Sequence, residues 1–167
     1  MKIENMQQLF EHSLAQAYDG EQQLVKALEK MAQASSSARL RMAFEQHREE
    51  TRRQAERLEQ VFTALGKEAD AEKNPVIREM ISVGEKIISS TDASPVRDAA
   101  LIKAGNEVEH VEMAMYGSLR DFAQLLGHTS AARLLEQTRN EEKAADELLT
   151  EIAENSVNRE ALGAVQV

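Results

Sequence analysis

The 167-residue chain has no cysteine and no tryptophan, only two prolines and seven glycines, and just 4% aromatic residues. Without cysteine there is no disulfide, thiolate zinc site, iron–sulfur cluster or cysteine nucleophile, so any metal would rest on Glu, Asp or His. Scarce glycine and proline leave few turns, which argues against a β-sandwich or barrel. Positive charge is in the minority, with 20 Lys and Arg against 29 Asp and Glu for a net charge of −9, a balance that opposes phosphate backbones and anionic membranes. Neither nucleic acid nor a membrane is an expected partner. Long apolar runs are missing too. The first ten residues include Lys2 and Glu4 and no apolar stretch, and nowhere do about 18 apolar residues follow one another. The sequence therefore predicts neither a signal peptide nor a membrane span, and a soluble cytoplasmic protein.

What the chain has instead is 42% hydrophobic residues and an abundance of Ala, Glu, Gln, Leu, Arg and Lys, all good helix formers. Its length suits a single domain, 1–167. Punctuation divides it into four long helical stretches and a shorter one. The first runs from about Asn5 to Ala34, with Gln8 completing a capping box. Ser35, Ser36 and Ser37 break it and cap a second, Ala38 to Leu65, which stops at Gly66. Asn74-Pro75 opens a short helix to about Ser89, and Ser94-Pro95 opens the third long one, ending at Gly127. Thr129 or Ser130 would cap the fourth, which fades near Asn155 and leaves 156–167 as a loosely held tail. Two close-connected helix pairs joined by a long crossover make an all-α, ferritin-like four-helix bundle, with an additional short helix in the crossover.

Read at heptad spacing, each long helix carries a buried stripe. The first is Phe10, Leu14, Ala17, Glu21, Leu24, Leu28, Met31. The second is Leu40, Ala43, His47, Glu50, Gln54, Leu58, Val61, Leu65. The third is Leu101, Gly105, Val108, Glu112, Met115, Leu119, Phe122, Leu126, and the fourth Ala131, Leu135, Thr138, Glu142, Ala145, Leu149, Ile152, with Asp146 one turn beyond Glu142. Every stripe thus has one glutamate near its midpoint, and the spacings within the two pairs match, 29 residues from Glu21 to Glu50 and 30 from Glu112 to Glu142.

Four ionised carboxylates buried together repel one another and lose hydration, at several kcal/mol per group, so they must be neutralised. Two divalent cations would do it, as in di-iron or di-manganese carboxylate centres; protonation would also serve, but leaves one glutamate per helix without a reason. Taken singly, each glutamate could instead snorkel from a helix flank. His47 is either a ligand beside Glu50 or a hydrogen-bonded core histidine. His12, His110 and His128 fall off the stripes and are expected at the surface, as are Glu49, Glu107 and Glu141 unless they support ligands. Tyr18 and Tyr116, within a turn of Glu21 and Glu112, are either carboxylate partners or core aromatics. Arg48, Arg52, Arg53 and Arg57 alternate with glutamates like a salt-bridged surface face.

The segments His47-Arg48-Glu49-Glu50-Thr51, Val108-Glu109-His110-Val111-Glu112 with Tyr116-Gly117, Glu141-Glu142-Lys143 and Arg97-Asp98-Ala99-Ala100 resemble those of the YciE/YciF family of bacterial stress proteins, within the ferritin-like superfamily. The resemblance spans essentially the whole chain. It implies a ferritin-like bundle, homodimers and an association with general stress, and no particular reaction. Ferritin-like di-metal proteins usually carry Glu-x-x-His on the second and fourth helices; here those histidine positions hold Arg53 and Ala145. His47 precedes Glu50 on the same face, and Asp146 or Glu109 is the nearest substitute on the other side. The expected ligand set is Glu21, His47, Glu50, Glu109, Glu112, Glu142 and Asp146, with Glu50 and Glu142 bridging. So oxygen-rich a shell favours two iron ions, or manganese, over copper.

Two functions follow. One is redox chemistry at such a pair with peroxide or dioxygen as the small oxidant, manganese-dependent peroxide disproportionation being a variant. The other is a non-catalytic stress protein whose bundle serves structure or partner binding around an empty or structural site. Leu24, Leu28, Leu58, Leu119 and Leu149 close over the glutamates, so no wide substrate channel is expected.

Overall fold

The structure is a computed structural model that describes residues 3–163. Six α-helices follow in order: α1 (Met6–Ala34), α2 (Ala38–Ala64), α3 (Pro75–Ser90), α4 (Pro95–Leu125), α5 (Thr129–Ile152) and α6 (Asn158–Gly163). No strand occurs among the described residues. α1 packs on α2 and α4 on α5; α2 against α5 and α1 against α4 close the four-helix bundle. α3, in the crossover, lies against α1 and α4.

Local chemistry sets most of these boundaries. Asn5 Oδ1 accepts from Gln8 N, while the Gln8 side chain accepts from Glu4 N, one residue short of the expected reciprocal box. Ser37, Asn74 and Ser94 cap α2, α3 and α4. Gly66 and Gly127 end α2 and α4 at φ 72° and 79°, a region that costs any residue with a Cβ. α5 differs from expectation: neither Thr129 nor Ser130 caps it, His128 precedes it, and no side chain bonds its first amides. The segment expected to fray after Asn155 continues instead through a π-helical turn, Ala153–Val157, into α6. Val157, buried in the core, holds it down. Residues 164–167 of the expected tail lie outside the described residues.

The helix pairs are tied together at one end by Asp98. Its buried carboxylate accepts from Ser36 N at 2.8 Å and Ser37 N at 2.7 Å, while Arg97 donates to the carbonyls of Ala34 and Thr91. Asp98→Ala removes two charge-assisted bonds and strands two amides, and should lower stability by about 2 kcal/mol in chemical denaturation.

Candidate metal centre

Midway along the bundle the apolar core is interrupted. One cluster holds Phe10, Leu14, Leu58, Val61, Tyr116 and Leu135; the other holds Leu28, Leu40, Phe44, Leu101, Leu149 and Ile152. Between them in the chain lie Glu21 on α1, His47 and Gln54 on α2, Glu109 and Glu112 on α4, and Thr138 and Glu142 on α5, all buried. Glu21, Glu109, Glu112 and Glu142 are at most 1% exposed, so the flank-snorkelling alternative does not describe them.

The register of α4 differs from the expected stripe. Its buried positions include Leu101, Gly105, Glu109, Glu112, Tyr116, Leu119 and Ala123, while Val108, Met115, Phe122 and Leu126 are only half-buried. The cause is α3. Val108 lines a small apolar cavity with Met80 and Ile81 of α3, and Met115 Sδ contacts Asn74, so α4 has a second apolar flank that widens its hydrophobic face. Glu109 thereby becomes a central member of the layer.

His47 is the hub. Its Nε2 lies 3.1 Å from Glu109 Oε1 and 3.6 Å from Glu142 Oε2, and its Nδ1 3.6 Å from Glu50 Oε2. One donor atom from each of His47, Glu109 and Glu142 falls within 4.8 Å of the others, close enough to share a metal ion. Tyr116 Oη donates to Glu21 Oε1, across the bundle from α4 to α1. Yet Glu21 Oε2, Gln54 Oε1, Glu109 Oε2, Glu112 Oε1 and both Glu142 oxygens are buried without a hydrogen-bond partner. Buried acceptors are normally paired, and so many left open in one layer of a bundle suit a cation that would take them as ligands.

Burial raises the Glu21 carboxyl to about 8, against the pull of the Tyr116 hydroxyl and His47. Glu112 and Glu142 are raised well above the carboxylate range, first by burial and then by neighbouring carboxylates. Burial alone would lower His47, but Glu109, Glu50 and Glu112 together hold it well above its ordinary value. Burial thus favours the protonated forms of Glu21, Glu112 and Glu142, while Glu109 and Glu50 favour the charged form of His47.

A fixed cation borders it. Arg57, expected on a solvated face, turns inward instead and is 8% exposed. Its guanidinium grips Glu141 through two bonds of 2.8 Å and donates to Thr138 Oγ1 at 2.7 Å. Gln54 Nε2 also donates to Glu141, which leaves the Gln54 carbonyl as the open acceptor noted above. Heptad spacing flagged Gln54 and charge alternation disguised Arg57.

Comparison with known proteins agrees with this architecture. A family model described as a domain of unknown function, DUF892, matches residues 5–162. The chain belongs to this family. It is 41% identical over 169 residues to Protein YciF of Escherichia coli strain K12, covering 96% of this chain and 98% of that protein. Its structure is similar to the crystal structure of the E. coli stress protein YciF, with a TM-score of 0.90 over 93% of this chain and 99% of that one at 41% identity. YcfI from Rhodopseudomonas palustris matches with a TM-score of 0.87 and 38% identity, over 89% and 95% of the two chains. A protein from Xanthomonas campestris pv. campestris, 23% identical, shares the fold with a TM-score of 0.75 over 98% and 100%.

In this DUF892 member the remaining expected residues fall outside the His47–Glu109–Glu142 group. Glu50, expected to bridge, sits at its edge with its side chain 23% exposed, and His47 and Gln46 lower its pKa against the opposing effect of burial. Asp146 faces the exposed His110 at 3.3 Å. His12 and His128 are half-buried rather than exposed, His12 paired with Glu72 at 2.6 Å and His128 stacked on Phe10. Tyr18 bonds Glu59 rather than Glu21. Glu49 and Glu107 pair with arginine and lysine at the surface. No helix among the described residues is long and apolar enough to cross a membrane.

Proposed function

We propose that this layer binds a pair of divalent metal ions, iron or alternatively manganese, for redox chemistry with peroxide or dioxygen. The observation that carries the proposal is the set of open acceptors on Glu21, Glu109, Glu112 and Glu142 around His47. Two divalent ions would balance the charge of four carboxylates. His47, Glu109 and Glu142 would hold one ion, Glu21 and Glu112 the other, and Glu142, with both oxygens open, would be shared. Glu50 would serve at the edge, and Asp146 would support the site from further out.

Two ferrous ions when bound would supply the two electrons that, with two protons, reduce one hydrogen peroxide to two waters. The chain's own groups position and neutralise. Tyr116 fixes Glu21 by donating to one of its oxygens, which leaves the other to face the site. The Arg57–Glu141 clamp holds a positive charge beside the carboxylates, and Coulombic attraction from Arg57 favours ionised Glu21. Apolar clusters flank the layer along the bundle axis on both sides. That the E. coli relative is a stress protein supports a role in stress for this chain, and peroxide is a stress that such a centre would answer.

Elemental analysis of protein purified without chelator tests the proposal, with about two iron or manganese ions per chain expected and less than about 0.2 favouring the structural alternative.

A further inference from the structure

The layer is not sealed evenly. Between α2 and α5 lies a cavity of about 60 Å³ whose lining includes His47 and Glu50. Exposure is graded along it: Gln46 and Ala144 are exposed, Glu50 is half-buried, and His47, Ala145 and Leu149 are buried. The cavity therefore runs from the surface to the imidazole, with Phe44, Ala145 and Leu149 as apolar walls. It stays open because α5 presents alanine at two successive lining positions, Ala144 and Ala145. At its inner end His47 Nδ1 has no hydrogen-bond partner and the Glu50 carboxylate stands 3.6 Å away.

Size and polarity select the occupant. A water occupies roughly 10–15 Å³ of such a measure, so the cavity holds a few water-sized groups and no organic substrate. The Glu50 carboxylate, the one carboxylate in the lining, disfavours an anion. A neutral molecule that both donates and accepts hydrogen bonds suits the inner end, where Glu50 accepts and His47 offers a nitrogen.

We propose that this cavity is the entry and binding pocket for hydrogen peroxide, admitting it to the His47–Glu50 edge of the site and excluding bulkier hydroperoxides. The assignment rests on the functional reading above. Binding itself breaks no bond, and the electrons and protons of reduction are those already stated.

Two variants and two readouts test it. Ala144→Phe plugs the mouth from an exposed helical position, and Leu148→Ala widens it at a half-buried one. In the metal-free protein under xenon pressure, the methyl resonances of Leu148 and Leu149 should shift, because small apolar cavities take up xenon, and Ala144→Phe should abolish that shift at unchanged melting temperature. In protein loaded anaerobically with two Fe(II) per chain, hydrogen peroxide should oxidise the iron about 100-fold faster than tert-butyl hydroperoxide. Leu148→Ala should shrink that preference about tenfold, and Ala144→Phe should slow hydrogen peroxide about tenfold with metal content unchanged. Iron that binds but shows no size preference, or xenon shifts that persist in Ala144→Phe, would overturn the pocket and leave the metal site standing. Failure of the chain to bind iron at all would overturn the functional reading and this assignment with it.

Discussion

At pH 8 the metal-free protein carrying Glu112→Gln should melt several degrees higher than the parent, whereas Glu109→Gln should melt lower. Both substitutions keep the shape and remove a charge, so their opposite signs isolate what each carboxylate does. Glu112 has an open oxygen, no ion pair to His47, and a carboxyl raised by burial and by Glu21 and Glu109. At pH 8 folding must either protonate this carboxyl or bury its charge, and a neutral amide relieves that cost. Glu109 lies 3.1 Å from His47 Nε2, and removing its charge leaves a buried imidazolium short of its nearest counterion, a loss of about 3 kcal/mol. In a domain of this size each kcal/mol moves the midpoint by about 2–4 °C.

The pH dependence has a definite sign. A carboxyl raised on folding contributes stability that is complete below its ordinary pKa and is lost as pH climbs toward the folded value, from 4.5 to about 8 for Glu21. His47, raised by its carboxylate neighbours, contributes below its ordinary value of 6.5 and loses that contribution as pH rises, so it acts in the same direction. Glu50 and Glu141 are lowered by His47 and Arg57 and act oppositely, losing their contribution as pH falls below 4.5. The metal-free protein should therefore be most stable near about pH 5 and weaken toward pH 8, and bound metal should remove most of that decline.

The second large effect concerns affinity. Glu142→Ala should weaken binding of the first metal ion by at least about 100-fold while the metal-free protein still folds, because it deletes two open ligand oxygens and one member of a crowded set. Binding to the parent at neutral pH should release protons, since Glu21, Glu112 and Glu142 hold theirs until a cation displaces them. Calorimetry in buffers of differing ionisation enthalpy reads that release directly. The release should diminish as pH rises toward 8 while apparent affinity increases. Affinity unchanged in Glu142→Ala would remove this residue from the site.

Much of this was legible beforehand. Periodicity placed Glu21, His47, Gln54, Glu112 and Glu142 on inward faces, and Asn74-Pro75 and Ser94-Pro95 marked two helix starts. Glu109 was visible only as a substitute, because Val108 and Met115 completed a smoother apolar series. That series was real but served α3, whose packing against α4 a single helix's pattern does not reveal. Arg57 was obscured for a related reason: alternating charges describe a surface face until one of them finds Glu141 and Thr138 across the bundle. Glu50 sits on the stripe yet at the open edge between α2 and α5, because the small Ala144 and Ala145 leave a gap there. Asp146 followed Glu142 by one turn, but that turn aims it at His110.

Anomalous diffraction at the iron edge, from crystals of protein loaded with Fe(II), tests most directly whether the bundle's polar layer takes up two metal ions. Two peaks about 3.5–4 Å apart, with Glu142 between them, His47 and Glu109 beside one and Glu21 and Glu112 beside the other, are the predicted result. Iron confined to surface carboxylates, with the layer holding none, would contradict it.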